Sequence, residues 1–490
     1  MDAIIINQKF DNVAVALKDL KKGQVIEGIL LLDDIAFGHK FAIKDIPEGQ
    51  NIIKYGSPLG RAKKDILAGN WVHTFNVLTN LDKDINYDYQ PLHQPLLAKT
   101  RAPKVKLYVR ENGNYGIRNE LWIIPSVGCI NSLCRNYAQK FAKKHRFSQN
   151  YSAIKVLEHP YGCSQMGDDL ANTTATLSAL ALNGNVGGVL IVGLGCENNK
   201  LEYMLKADYI PERTRSLNLQ KSLAEETEFI QLLEELYENL IKDRRTLQPI
   251  SCLTIGLKCG GSDGFSGITA NPLIGKFSDW LVHAGGRVVL TEVPEMFGAE
   301  QLLMNRAKNA EVFQDFVKLI NNFKEYYQSH NQIIYDNPSP GNKDGGITTL
   351  EEKSLGCIQK GGTSMVSNVS FDHQLHNSAG LNVVKSPGND LVSCTELAAA
   401  GASLILFSTG RGTPFGSVVP TLKISTNSKL FALKPNWIDF NAGSLIEGQT
   451  MDVALSEFIE LIIKVINGQK TMNEVNEIAQ IAIFKDGVTL

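Results

Sequence analysis

From Val105 to the end of the chain, apolar runs of strand length alternate with longer segments whose apolar residues recur three and four positions apart. LWIIPSV, AIKVLEH, GGVLIVGLG, CLTIGLK, RVVLTEV, LNVVKS, LILFSTG and WIDFNAG are strand-like; FIQLLEELYENLIKD, NPLIGKFSDWLVHAG, VFQDFVKLINNFKEYY and ALSEFIELIIKVING have the spacing of amphipathic helices. This alternation restricts the region to α/β units on largely parallel sheets, because parallel neighbours need a crossover and a helix supplies it. At 490 residues the chain is too long for one core. The polar stretch Asn239 to Pro249 predicts a division into a middle domain, 105–247, and a C-terminal domain, 248–490.

Residues 1–80 read differently. AIIINQ, NVAVAL, ILLLDDIAF, KFAIKDI and NIIKYGS are short alternating segments separated by Gly, Pro and Asp turns, which predicts a small, mostly β domain. Between them, 81–104 carries three prolines and little periodicity, as a linker or a strap laid over a neighbouring domain does.

Composition narrows the partners. Lys+Arg 49 against Asp+Glu 51 leaves a net charge of −2 and no basic field for nucleic acid or an anionic membrane. No apolar run approaches the roughly 20 residues that span a bilayer, and the first residues lack a secretory pattern, so the cytoplasm is the expected compartment. Eight cysteines without a CxxC pair predict reduced thiols rather than a disulfide framework or a zinc ribbon. Association into a homo-oligomer stays open.

The loops after the strands carry the chemistry. PYGCSQMGDD, GCENN, KCGGSDGFSGITANP, EVPEMFGAE and STGRGTPFG are dense in Gly and small polar residues, and each begins where a parallel strand should end. Ligands of open α/β sheets bind outside those carboxyl ends, so the five loops are expected to converge on one site for a small anionic molecule. No GxGxxG or GxxxxGK[ST] supports a nucleotide. Cys129, Cys163, Cys196 and Cys259 could face a common cavity and ligate a metal or an iron–sulfur cluster, or simply pack; Cys134, Cys252, Cys357 and Cys394 read as packing. His39 and His73 in the small domain, and His159, suit proton transfer or metal ligation. Arg411 in STGRGTPFG can grip a carboxylate through two parallel hydrogen bonds, with Lys40 and Lys423 as helpers. Ser262, Asp263, Glu292 and Glu295 are hydroxyl and carboxylate candidates, while Arg118 and Glu120 read as a structural pair.

As a set, HPYGCSQMGDD, IVGLGCENN, KCGGSDGFSGITANP, LTEVPEMFGAEQLLM, NPSPGNKDGGITTLEEKSLGC and FSTGRGTPFGSVVPTLKISTN resemble the altronate/galactarate dehydratase family. The similarity runs from NVAVAL and GHKFA to the closing AIFKDGVTL. It implies an N-terminal SAF-type β domain joined to two further domains, a divalent metal, Fe(2+) or Mn(2+), and loss of water from a sugar acid. D-Altronate giving 2-dehydro-3-deoxy-D-gluconate is the expected reaction; galactarate, a sulfolactate that loses sulfite, and non-catalytic sugar-acid binding are the alternatives. Some members carry a second histidine where Phe75 stands here, which removes that side chain from any indispensable ligand set.

Taking the C2 proton from an aldonate creates an enediolate with two negative charges, which needs a metal or a cationic clamp. On this reading His39, His73, Asp263 and Glu292 are the catalytic candidates. Lys40, Arg411, Lys423 and Ser262 would bind substrate, and His39, His73, Cys163 and Cys196 would hold the metal.

Overall fold

The computed structural model describes residues 2–81, 86–92, 102–148, 150–206, 208–373 and 379–487. The N-terminal SAF-type β domain is built from a four-stranded antiparallel sheet, a three-stranded sheet and a hairpin. In the first sheet Val13–Ala16 pairs with Lys40–Ala42, which pairs in turn with Trp71–Val72. These short strands bury Val13, Ala42, Ile52, Leu59 and Val72 on one side and Ala14, Leu20 and Phe41 on another, giving two small apolar clusters. Beyond it, Tyr87 and Tyr89 reach the C-terminal domain: Tyr87 donates to Glu300 at 2.6 Å and Tyr89 to the Ala307 carbonyl at 2.9 Å.

The middle domain holds four parallel strands in the order Ala153–Val156, Glu120–Pro125, Val186–Gly193, Thr214–Asn218. Asn131–Ala142 and Glu225–Leu240 cover one face, packing Phe141, Leu233 and Leu236 against Leu121, Ile123 and Leu190. The C-terminal domain holds seven parallel strands in the order Val366–Ser370, Gly380–Val384, Arg287–Leu290, Thr254–Cys259, Leu404–Thr409, Thr421–Ser425, Phe440–Asn441. Its central strands are apolar on both faces, as sheets covered on both sides require. One face buries the helices Ala270–His283, Ala310–Ser329 and Met451–Ile466. The other shares a core with the middle sheet, where Trp122, Ile124 and Ile191 join Leu397, Ile405 and Phe407.

Arg118 and Glu120 do not pair with each other, contrary to the sequence expectation. Arg118 forks onto Glu474 at 2.6 and 2.9 Å, and Glu120 takes Lys155 at 2.9 Å and the Trp122 indole at 2.7 Å. Arg118 lies before the strand Glu120–Pro125 and its guanidinium is held by Glu474, 356 positions away, while Glu120 is taken up within the sheet by the same-face Trp122 and by Lys155 of the neighbouring strand. Among the described residues no helix is long and apolar enough to cross a membrane.

Candidate active site between the small domain and the large sheet

In the C-terminal sheet the chain runs from Thr254–Cys259 to one side and returns to the other at Leu404–Thr409. That reversal is the topological switch point, where ligands of open α/β sheets bind. The loops beyond these strands clasp each other: the Gly410 and Arg411 N–H groups both donate to the Gly261 carbonyl, at 3.0 and 2.8 Å. Above them lies a cavity of about 330 Å³, lined by Phe37 and Gly38 of the small domain and by Asp263, Asp344, Asn427, Arg411 and Lys429 of the large one. Two larger hollows, of about 910 and 1000 Å³, open at the amino ends of Thr254–Cys259 and Arg287–Leu290 and along the edge strand Ala153–Val156. Neither sits at a strand carboxyl end of the large sheet.

Arg411 is exposed to the small cavity and has no ion-pair partner among the described residues. Asp263 is pinned. Its carboxylate accepts from Thr426 Oγ1 at 2.8 Å, Asn427 Nδ2 at 3.1 Å, Ser266 Oγ at 3.1 Å and the Phe265 N–H at 3.1 Å. Burial raises its pKa against those four bonds. Ser262 Oγ is buried without a partner among the described residues, and the Ser262 carbonyl accepts from Asn342 Nδ2 at 2.8 Å.

His39 and His73 stack with ring centroids 5.2 Å apart, flanked by Trp71. Both reach the large domain: His39 Nε2 lies 3.1 Å from the Asp344 carbonyl and His73 Nε2 3.0 Å from the Lys343 carbonyl. A carbonyl only accepts, so each Nε2 carries a proton. The Trp71 indole donates to His39 Nδ1 at 3.3 Å, which commits both ring nitrogens of His39. Burial lowers the pKa of both imidazoles, more than the carbonyl contacts raise it.

Two features escape a reading of the sequence. Glu352, on the helix Leu350–Cys357, accepts from Lys40 at 2.8 Å, Lys54 at 2.9 Å and Thr348 at 2.7 Å, all buried. Burial alone would raise its pKa, but the two ammonium groups hold it far below the usual carboxylate range. Lys40 therefore fixes the domain junction and does not open onto the cavity. The second feature is a sealed cluster beyond Thr254–Cys259 and Arg287–Leu290. Glu292, in the left-handed region at φ 67°, pairs with Lys258 and, at 3.0 Å, with Lys360; Lys258 also meets Asp390 at 3.0 Å, and Lys353 meets Glu295 at 2.8 Å. Cys259 Sγ stands 3.3 Å from Cys357 Sγ, and Cys357 donates to Glu295 at 3.1 Å, so Cys357 belongs to this polar cluster rather than to apolar packing.

The other expected residues lie elsewhere. Lys423 spends its ammonium on the Thr413 and Phe415 carbonyls, at 3.1 and 2.7 Å, and burial lowers its pKa to about 8. Cys163 and Cys196 sit at the carboxyl edge of the middle sheet, with Cys129. The five loops thus divide between two sheet edges: Cys259 goes with the large sheet and the other three thiols with the middle one.

Three family models match along the chain. The altronate/galactarate dehydratase SAF domain matches residues 1–80. The second domain of D-galactarate dehydratase/altronate hydrolase matches 107–241, and the C-terminal domain of D-galactarate/altronate dehydratase matches 250–489. The chain belongs to the altronate/galactarate dehydratase family. Within that family it is 49% identical to altronate dehydratase of Escherichia coli (strain K12), covering 98% of both chains. It is 48% identical to altronate dehydratase of Bacillus subtilis (strain 168), covering all of both. It is 34% identical to the galactarate dehydratase (L-threo-forming) of Escherichia coli (strain K12), covering 94% of this chain and 92% of that one. Among the described residues of this family member, Cys259, Glu295 and Cys357 form the one group whose ligand atoms lie within 4.8 Å of one another, a spacing that could hold a metal ion.

Proposed function

We propose that the chain is a hydro-lyase that converts D-altronate to 2-dehydro-3-deoxy-D-gluconate, working as units 1–80, 105–247 and 248–490 joined by 81–104. The observation that carries this reading is near-half identity, from end to end, to two altronate dehydratases. The free guanidinium over the switch-point cavity supports it.

In this reading Arg411, with Lys429 beside it, holds the C1 carboxylate and offsets the charge that builds there as the C2 proton leaves. The neutral imidazole pair handles the protons. His73, whose Nδ1 meets only the Thr74 hydroxyl, takes the C2 proton; the released electron pair forms the C2–C3 double bond as the C3–O bond breaks. The C3 hydroxyl takes up the proton that His73 gained and leaves as water, which restores the neutral imidazole, and the enol product tautomerises to the 2-keto acid. Asp263 keeps the two strand-end loops in register beneath the substrate.

Iron dependence, which the family implies, is part of the proposal, but the site residues do not offer iron an open place. His39 has both nitrogens engaged. In the sealed cluster Lys360 lies 2.7 Å from Cys259 Sγ and Lys353 pairs with Glu295, so three ammonium groups already neutralise Glu292, Glu295 and Asp390. No step is routed through an ion there.

The test is anaerobic incubation of purified full-length protein, iron restored, with D-altronate and separately with galactarate. Formation of the 2-keto-3-deoxy acid from D-altronate, well above that from galactarate, is the expected result; no product with iron restored would overturn the reading.

A further inference from the structure

The middle sheet carries a feature that the proposed dehydration leaves unused. Three adjacent strands each run into a loop bearing a Gly-Cys pair: Glu120–Pro125 into Gly128 and Cys129, Ala153–Val156 into Gly162 and Cys163, Val186–Gly193 into Gly195 and Cys196. These three thiols are exposed, while Cys134, Cys259, Cys357 and Cys394 are buried and Cys252 is half-buried.

The loops are tied together. The Gly128 N–H donates to the Tyr161 carbonyl at 2.8 Å, and the Asn198 and Asn199 N–H groups both donate to the Gly162 carbonyl at 3.0 Å. The Ser164 N–H donates to Asn198 Oδ1 at 2.8 Å. Gly162 has φ +100°, and a Cβ there would stand 2.1 Å from the Ser126 carbonyl oxygen, so only glycine lets the second loop close on the first. Neighbouring strands lie about 4.8 Å apart, which puts three adjacent strand ends within a span of about 10 Å.

Other ligand types at this edge are occupied. His159 Nε2 donates to the Pro125 carbonyl at 2.8 Å and its Nδ1 accepts the Tyr161 N–H at 3.2 Å. Glu197 takes the Ser126 hydroxyl and the Leu194 and Gly195 N–H groups. The three thiols meet only weak neutral partners, Gln220 Nε2 at 3.5 Å from Cys196 and Ser164 Oγ at 3.9 Å from Cys163, among the described residues, and form a soft donor set that selects zinc, copper(I) or iron–sulfur clusters. A single tetrahedral zinc, with Zn–S about 2.3 Å, would draw its sulfurs to about 3.8 Å from one another. At least one pair of the three thiols stands more than 4.8 Å apart, because among the described residues the one group of three such ligand atoms mutually within that distance is Cys259, Glu295 and Cys357.

We infer that Cys129, Cys163 and Cys196 bind a [4Fe–4S] cluster as thiolates, leaving the fourth iron without a protein ligand and open to an oxygen donor such as a hydroxyl or carboxylate. The core assembles from equal numbers of Fe(II) and Fe(III) ions with sulfide, so it needs no further oxidant, and each thiol releases its proton on ligation.

The test is anaerobic incubation of the full-length protein with Fe(II), Fe(III) and sulfide, followed by iron and sulfide analysis, visible absorption and Mössbauer spectroscopy. The wild type should retain about four iron and four sulfide ions per chain. C129S, C163S and C196S should each lose at least about tenfold of both, while C134S keeps them. Prior alkylation of the wild type, which reaches exposed thiols first, should also abolish uptake and so guards against a misfolded variant. Iron without sulfide, a single zinc ion, or retention by the triple serine variant would overturn the inference. A loaded wild type that leaves D-altronate unchanged would overturn the substrate reading alone.

Discussion

Glu352 Oε2 accepts from Lys40 Nζ at 2.8 Å across the junction of the small and large domains, and neither side chain reaches solvent. Lys54 completes the triad from the neighbouring sheet of the small domain, at 2.9 Å. Removing one member of a buried pair strands the others without compensation. E352A is therefore expected to cost about 3–5 kcal/mol in urea unfolding. The double variant K40M/E352L, still facing Lys54, should remain less stable than wild type. An E352A variant as stable as wild type would show that the junction does not depend on this pair.

Arg411 lines the switch-point cavity without an ion-pair partner among the described residues, and on the proposed reading it meets the substrate carboxylate. R411A should raise KM for D-altronate about 10- to 100-fold and lower kcat as well, because Arg411 both holds the carboxylate and offsets the charge that builds on it as the C2 proton leaves. R411K should recover only part of that loss, since an ammonium lacks the planar fork. Steady-state kinetics separates these outcomes, and an unchanged KM in R411A would remove the residue from substrate binding.

The imidazole pair gives the pH behaviour a definite sign. Burial lowers the pKa of His39 and His73 below 6.5, so the unfolded chain takes up protons before the folded one does. Their contribution to stability is present above pH about 6.5 and is lost as pH falls from there through the folded values. The urea midpoint should drop more for wild type than for H39N/H73N between about pH 7.5 and about pH 5. In kinetics, the acid limb of kcat/KM should lie below 6.5. H73A should lose about 10²- to 10⁴-fold in kcat if His73 takes the C2 proton, and full activity in that variant would end the assignment.

What could be read in advance follows from how far apart the interacting residues stand in the chain. GGVLIVGLG and LILFSTG announce buried parallel strands by themselves, and the Gly-rich STGRGTPFG marks a strand-end loop, so the sheets and Arg411 were legible. Glu352 lies in the ordinary helical run LEEKSLGC, and its partners are 312 and 298 positions away, so nothing local distinguishes it from a solvated glutamate. Lys258 looked like the end of an apolar strand and Cys357 like a packed thiol, because the cluster that joins them to Glu292 and Glu295 exists only after helix Leu350–Cys357 docks on the sheet edge. The division of the Cys-bearing loops between two sheets was hidden for the same reason. Strand order is not written in the loops themselves.

Gly410 gives the sharpest test of the switch-point geometry. A Cβ on this residue would stand 2.1 Å from Asp263 Cγ and 2.5 Å from both carboxylate oxygens. Asp263 cannot move aside cheaply, since Thr426, Asn427, Ser266 and the Phe265 N–H fix it from four directions. G410A must then displace either the carboxylate or the clasp between Gly261 and Arg411, and both border the cavity. The expected result is a loss of about 1–3 kcal/mol in stability together with a larger relative loss of kcat/KM than of folded protein. If G410A kept wild-type kinetics and its unfolding midpoint, the floor of the catalytic cavity would lie somewhere other than the loops after Thr254–Cys259 and Leu404–Thr409.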